Sequence, residues 1–190
     1  MKPAVFLDRD GTICEQMGYI NHASRLVILP GVPEAIRVLN EKGFYVIVVS
    51  NQSGVARGYF PESLVQDINK IMVQSVLRQG GRIDAVYYCP HHPHGIVKKY
   101  AKRCECRKPD IGLINQALKR FPIDMGGSWV VGDTCSDLEM ARNAGLKGVL
   151  VKTGYGLGEL QYVMPGRQVK PDYVAHDLLD AARYITSRYP

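Results

Sequence analysis

The run Phe44–Val49, FYVIVV, constrains the fold of this chain more than any other segment. Six consecutive apolar residues have no face to offer to water. A strand made of them must be covered on both sides, which is the condition of a parallel sheet with crossover helices. The flanks agree, with Gly43 before the run and Ser50-Asn51 after it. Ala4–Leu7 is a second short apolar run and ends at Asp8. Further strands are expected over Ile83–Tyr88, Trp129–Val131 and Val149–Val151, with Tyr173 and Val174 adding an edge strand before a C-terminal helix. Helical patterns fall between them. Pro33–Lys42 has proline in its first turn and Gly43 past its end. A second helix starts at Pro61 and carries Leu64, Ile68, Ile71 and Met72 on one stripe. Leu113, Ile114, Ala117 and Leu118 mark a third, and Asp137–Asn143, closed by Gly145, a fourth. The alternation predicts an α/β fold, doubly wound around a mainly parallel sheet.

A chain of 190 residues, 46% hydrophobic, can bury a proper core. It shows no repeat, low-complexity tract or linker, so one domain over 1–190 is expected, with a distinct loop at about 89–108. No apolar run reaches bilayer length, and only four apolar residues precede the first acidic cluster, too few for a signal-peptide core. Five cysteines without such a signal suit a reducing compartment. A cytoplasmic location, with no membrane partner, is expected. The net charge of +6 fits a small anionic substrate or nucleic acid. The one dense basic run, Lys98, Lys99, Lys102 and Arg103 around Tyr100, could stack on a base. A solvated loop face is the simpler reading, and no RNA-recognition motif accompanies it. A zinc-stapled RNA-binding module is the alternative of a different class, and no nucleic-acid partner is expected.

Ligands of open α/β sheets bind beyond the carboxyl ends of the strands. Asp8, Ser50, Cys89 and Asp133 each lie at or just after an expected strand end, so one rim gathers four reactive residues. Asp8-Arg9-Asp10-Gly11-Thr12 sets two carboxylates around one residue, with a glycine that lets the chain turn. A carboxylate can attack phosphorus to give an acyl phosphate. Repulsion between the two anions calls for a divalent cation, and magnesium, which prefers oxygen ligands, suits further carboxylates on the rim. Asp133 and Asp137 supply them. An Asx turn would explain an isolated DxDG. A calcium loop is excluded because Tyr19 stands where its glutamate would be. Transfer of a phosphoryl group also needs donors for its oxygens. Ser50-Asn51-Gln52-Ser53 and Lys108 can provide them.

DRDGT, Ser50 after the second strand, Lys108 and the GDTCSD run together resemble the four signature motifs of the haloacid dehalogenase superfamily of phosphatases. The resemblance spans Asp8 to Asp137. It implies a Rossmann-like sheet with the Asp8 strand near its centre. It implies that Asp8 is the nucleophile and Asp10 the general acid and then base, with Ser50 and Lys108 holding the phosphoryl group. Magnesium would be bound by Asp8, the main-chain carbonyl of Asp10, and Asp133.

Cys89-Pro-His91 and Cys104-Glu-Cys106 offer three thiols and an imidazole around one loop, a donor set suited to a closed tetrahedral zinc site of structural kind. His92 or His94 could replace His91 on spacing alone. Cys14 and Cys135 read as small packing residues. YYCPHHP followed by CxCRKP, with Gly18-Tyr19 and SNQSGVARGYF, resembles the D,D-heptose 1,7-bisphosphate 7-phosphatases of lipopolysaccharide heptose synthesis. That resemblance assigns Cys89, His91, Cys104 and Cys106 to zinc. It assigns Gln16, Met17, Gly18 and Tyr19, Ser50 to Ser53, and Arg107 with Lys108 to the substrate. It implies removal of the C7 phosphate through an aspartyl-phosphate intermediate. The histidinol-phosphate phosphatases, which share DRDGT and a similar zinc loop, are the second reading; their second motif typically reads TNQDG. This chain departs from many heptose relatives by carrying Thr134, not lysine, after Asp133. The short gaps leave no room for a separate cap domain, so rim loops must give specificity, with Arg107 placed for a second phosphate. A monomer acting on a small phosphorylated sugar is expected.

Overall fold

The computed structural model describes residues 1–189. Six strands form one all-parallel sheet: β1 (Lys2–Leu7), β2 (Tyr45–Asn51), β3 (Ala85–Cys89), β4 (Ile123–Gly132), β5 (Lys147–Val151) and β6 (Tyr173–Ala175). Their order is β3-β2-β1-β4-β5-β6, the doubly wound arrangement. The chain direction of assembly reverses between β1 and β4, so a crevice opens above the exits of these two central strands. Asp8 follows β1 and Asp133 follows β4, and the Asp8 amide donates to Val131 of β4 (2.9 Å). The two carboxylates therefore meet because their strands are neighbours at the switch point.

Both faces of the sheet are covered. On one, Val5, Leu7, Val46, Val48 and Val131 pack under α1 (Val32–Glu41) and α6 (Leu178–Ser187). On the other, Ala4, Phe6, Ile47, Val49 and Val130 pack under α3 (Gly112–Leu118) and α4 (Cys135–Asn143). A strand that feeds alternate side chains into two apolar layers can have no polar positions, which is what FYVIVV requires. The longest helix, α2 (Glu62–Arg78), adds Met72 and Val76 to the first of these layers. A short turn of helix, α5 (Gly156–Gly158), follows β5 near the rim. Among the described residues every helix and strand belongs to the sheet and its covering, apart from short helical turns, and none forms a separate unit over the rim.

Some boundaries differ from those read in the sequence. Phe44 lies outside β2, with its ring edge-on to Tyr189 at 5.0 Å. Asp84 precedes β3, where its carboxylate accepts from the Val46 amide (2.8 Å). The expected strand at Trp129–Val131 is the last part of the ten-residue β4, whose start at Ile123 is masked by Met125-Gly126-Gly127. There the ladder is irregular: Pro3 pairs with Asp124 but Val5 with Trp129. Ser128, buried, bridges the gap. Its hydroxyl accepts from the Ala4 amide (2.8 Å) and donates to the Asp124 carbonyl (2.5 Å).

Ser128→Ala would strand that amide in the centre of the sheet. An orphaned buried donor costs about 1–3 kcal/mol. Urea unfolding should show a loss in that range with an unchanged slope, and a change near zero would mean that the bulge closes without the hydroxyl.

Candidate active site and metal centres

Lys108 is 4% exposed, and its ammonium has three acceptors: Asp8 Oδ1 (2.7 Å), Asp137 Oδ1 (2.6 Å) and the Val49 carbonyl (3.1 Å). Burial alone would lower its pKa, but the Asp137 and Asp8 carboxylates outweigh this and hold it above the ordinary lysine value. Its main chain is clamped by Asn51, whose Oδ1 accepts from the Lys108 amide (3.0 Å) and whose Nδ2 donates to the Lys108 carbonyl (3.2 Å). Asp137 also accepts from the Thr134 amide (3.2 Å) and hydroxyl (2.6 Å), closing the capping box of α4. Both ends of this carboxylate are thus occupied by protein.

Asp133 is fully buried beside them. Its Oδ2 accepts from the Tyr155 amide (2.9 Å), while its Oδ1 is buried and finds no hydrogen-bond partner among the described residues. Oxygens of Asp8, Asp133 and Asp137 lie within 4.8 Å of one another. Burial, opposed by Lys108 and aided by the neighbouring carboxylates, pushes the pKa of Asp8 up to about 7; burial and the same crowding of carboxylates push that of Asp133 up to about 8. Two glycines make the crowding sterically allowed. Gly11 and Gly154 have φ of 85° and 57°, and a Cβ on either would collide with the Asp133 carboxylate. An orphaned buried carboxylate oxygen amid like charges is the donor set of a hard divalent cation.

Asp10 meets a different environment. The buried Arg9 donates through one nitrogen to both its oxygens (2.9 and 2.8 Å), and Gln52 Nε2 donates to Oδ2 (2.8 Å). Gln52 also donates to the Ser50 hydroxyl (2.6 Å) and accepts from Arg9 (3.0 Å). The side chains of Asn51 and Gln52, expected at the substrate, are therefore committed to protein partners.

These groups open on a cavity of about 300 Å³. Its wall includes Asp8, Asp10, Gln16, Gly18, Tyr19, Asn51, Gln52, Ser53, Arg107, Lys108 and Thr134. Met17 and Ser50 are not part of it. Sequence reasoning missed Arg9, Ile20, Ser136 and Tyr155, which are. Arg9 carries no distinguishing signal between two aspartates, and Tyr155 reaches the rim through the turn after β5.

Cys89, His91, Cys104 and Cys106 converge at the edge of the same rim. Cys106 Sγ lies 3.1 Å from Cys89 Sγ and 3.3 Å from Cys104 Sγ, and His91 Nδ1 lies 3.3 Å from Cys106 Sγ and 3.7 Å from Cys89 Sγ. The edges of a tetrahedron about zinc are roughly 3.5–3.8 Å for sulfur and nitrogen ligands, so the four atoms need little movement to fit one. His92 and His94 lie elsewhere: His92 Nε2 faces Arg57 (3.1 Å), and its Nδ1 accepts from the His94 amide (3.1 Å). Arg107 is tied to this loop through the His91 carbonyl (3.4 Å). Cys14 and Cys135 are buried and apart from the cluster. Lys98, Lys102 and Arg103 are exposed, and Lys99 lies over the Tyr100 ring (4.8 Å).

The HAD-hydrolase-like family model matches residues 105–181. The D-glycero-beta-D-manno-heptose-1,7-bisphosphate 7-phosphatase of Yersinia pestis is 40% identical over 189 residues, 98% of this chain and 97% of that protein. The protein of that name from Escherichia coli (strain K12) is 39% identical over 185 residues, covering 96% and 93%. The crystal structure of D,D-heptose 1,7-bisphosphate phosphatase from B. bronchiseptica, complexed with magnesium and phosphate, superposes with a TM-score of 0.85 over 99% of both chains, at 31% identity. With two central carboxylates, a buried lysine between acids and near-complete coverage of such relatives, the chain belongs to the D-glycero-D-manno-heptose-1,7-bisphosphate 7-phosphatase family of HAD-like hydrolases.

Proposed function

We propose that this chain is a magnesium-dependent phosphatase that removes the C7 phosphate of D-glycero-D-manno-heptose 1,7-bisphosphate, in lipopolysaccharide core heptose synthesis. The observation that carries it is the Asp8–Lys108–Asp137 ion triad at the floor of a cavity with Arg107 in its wall. Asp8 attacks phosphorus and becomes an aspartyl phosphate. Lys108, fixed by two acids and a carbonyl, meets the phosphoryl charge without reorganising. Ser50, buried off the cavity wall, accepts from Gln52 and so supports the phosphoryl end through that residue. Asp10 protonates the leaving C7 oxygen and then takes a proton from the water that hydrolyses the intermediate. Asp8, Asp133 and the Asp10 carbonyl would hold magnesium, which supplies charge neutralisation between nucleophile and phosphate. Asp137, with both oxygens engaged, orients Lys108.

Gln16, Gly18 and Tyr19 on one side, and Asn51 to Ser53 on another, form the sugar's surroundings, with Met17 in the same turn but off the cavity wall. Arg107 takes the retained C1 phosphate. Zinc bound by Cys89, His91, Cys104 and Cys106 has a structural role, holding the loop that carries Arg107. No helix among the described residues is long and apolar enough to cross a membrane. We read the protein as a cytoplasmic monomer whose partner is its sugar substrate, with the basic run at 98–103 solvated.

Substrate assignment is tested by phosphate release from the heptose bisphosphate, histidinol phosphate and a simple sugar monophosphate. The bisphosphate should be preferred, and Asp8→Asn should abolish turnover on all three. Arg107→Ala should lower kcat/KM for the bisphosphate by about 10- to 100-fold more than for the monophosphate, the value of one charge-assisted contact. Equal losses would remove Arg107 from the distal phosphate, and faster turnover of histidinol phosphate would replace the substrate.

Magnesium occupancy has a pH signature. The folded-state values of Asp8 and Asp133 lie above their ordinary 3.8, so without metal these groups favour the folded state most at low pH, and this contribution is lost as pH rises through about 7 to 8. The cation binds the charged carboxylates, so it displaces protons below that window. Magnesium should raise Tm more at pH 8.5 than at pH 6; at a hundredfold excess over Kd the gain is about 2.7 kcal/mol. An equal shift at both pH values would show that these carboxylates are not its ligands.

Zinc should behave differently. Brief EDTA treatment should remove magnesium and leave zinc, because a thiolate site releases its metal slowly. Cys104→Ser should lower zinc content and stability; a loss of about 3 kcal/mol is about 6–12 °C in Tm at this length. Elemental analysis without zinc in the untreated protein would overturn the site.

A further inference from the structure

We infer that Arg9 is a positioning residue for catalysis: anchored by Asn69 and Gln52, it fixes the Asp10 carboxyl in the orientation for proton transfer. The inference rests on the reading of Asp8 and Asp10 given above, and goes beyond it to a residue that touches neither phosphate nor metal in that scheme. Arg9 is 1% exposed, although it contributes to the cavity wall between Asp8 and Asp10. A guanidinium is expensive to bury, so its partners must define its place. One nitrogen reaches both oxygens of Asp10 (2.9 and 2.8 Å) and Gln52 Oε1 (3.0 Å). The other reaches Asn69 Oδ1 (3.2 Å), a buried amide on α2. A fixed planar fork thus connects a helix under the rim to the carboxylate above it.

The contacts on Asp10 are unequal. Oδ2 accepts from Arg9 and from Gln52 (2.8 Å each). Oδ1 accepts from Arg9 (2.9 Å), and its other neighbour is the Cys14 thiol at 3.6 Å. A thiol is a weak donor, so Oδ1 keeps the lone pair that can carry a proton. Because Gln52 fixes which oxygen is which, the carboxyl cannot turn over without breaking two short hydrogen bonds. In the first half-reaction the Asp8 oxygen forms a bond to phosphorus, the bond to the C7 oxygen breaks, and that oxygen receives the Asp10 proton. In the second, Asp10 takes a proton from water, whose oxygen bonds phosphorus and releases Asp8. Misplacing Asp10 impairs both proton transfers, but the first matters only for a leaving group that needs a proton.

p-Nitrophenyl phosphate separates these steps, since nitrophenolate leaves unprotonated. Arg9→Met should lower kcat on the heptose bisphosphate by about 100-fold or more, the usual contribution of a general acid or base. Its first turnover with p-nitrophenyl phosphate, read as a burst of nitrophenolate, should stay within about threefold of wild type while the following steady state slows. Arg9→Lys, which keeps a charge but not the fork, should fall between. Equal losses in the burst and in heptose turnover would overturn the inference and leave Arg9 a support of the fold or of Asp8. Arg9→Met can fail to fold, so Asn69→Ala, which removes one anchor and leaves the guanidinium, is measured beside it with a melting curve. The same skew at smaller size supports the inference; equal losses, or none, overturn it. Asp10→Asn is the reference and must itself keep the burst. If it does not, Asp10 is not the acid, and the catalytic reading fails ahead of the role of Arg9.

Discussion

The Lys108 ammonium, held between Asp8 and Asp137, is the interaction on which the rest of the site depends. Taking such charges out of water is unfavourable unless the geometry is close and the remaining donors are satisfied. Here all three ammonium protons have acceptors within 3.1 Å. The triad also joins four parts of the chain. Asp8 leaves β1, Val49 lies in β2, Asp137 opens α4, and Lys108 ends the loop that begins at Cys89. Three buried carboxylates, with Asp133, stand against one ammonium. The imbalance is two negative charges, the charge of one divalent cation, and it adds to the burial that pushes Asp8 and Asp133 up in pKa. The same imbalance that disfavours the empty site is the reason for a hard cation to enter it.

Such crowding is possible only because the chain is small at the points of closest approach. Gly11 and Gly154 let two turns close on each other and on the same Asp133 oxygen, and the Thr153 hydroxyl donates to the Gly11 carbonyl between them (2.5 Å). On the α4 side, the capping box aligns Asp137 with the first turn of the helix. The switch point between β1 and β4 brings the strand exits together, and these local devices set the final ångström.

Much of this was legible in the sequence, for physical reasons. Strands buried on both faces have to be apolar throughout, so β1, β2 and β5 stand out, and reactive residues just past them must share a rim. Boundaries were less legible wherever a side chain substituted for the ladder. Ser128 replaces a main-chain partner across an irregular stretch, and so the first part of β4 resembles a loop. At the site, strand-end placement pointed to the carboxylates and spacing to the three loop thiols, whereas the choice among His91, His92 and His94 was open on spacing, and the fold brings His91 alone of the three to the thiols. Arg9 and Asn69 were not legible. Their importance comes from meeting across sixty residues of sequence, and neither type is unusual where it stands. Asn51 and Gln52 line the cavity, as their place after β2 suggests, but the bonds of their amides to Lys108 and Asp10 have no signal in the sequence.

A site without a cap needs rigid walls, and the loop over 89–108 is a poor candidate by ordinary means. It is long and lacks regular elements, and Ile96, 78% exposed, gives it little apolar surface to bury. Loops of that length without structure are uncommon in compact domains unless something ties them. Here two ties operate at different depths. The Cys/His cluster gathers both ends of the loop, immediately before Arg107 and Lys108. Farther out, the Ala56 carbonyl accepts from the amides of Ile96 (2.8 Å) and Val97 (3.0 Å), and Glu62 accepts from the Tyr100 hydroxyl (2.7 Å). The second tie joins the loop to the segment after β2 that supplies Ser53 to the cavity. Arg107 and Lys108 are adjacent in sequence but differ in setting: Arg107 belongs to the tied loop, and Lys108 to the buried triad. One short stretch of chain thus fixes both a wall residue and the floor, and the distance between them cannot change without disturbing the cluster, the Asn51 clamp or the triad.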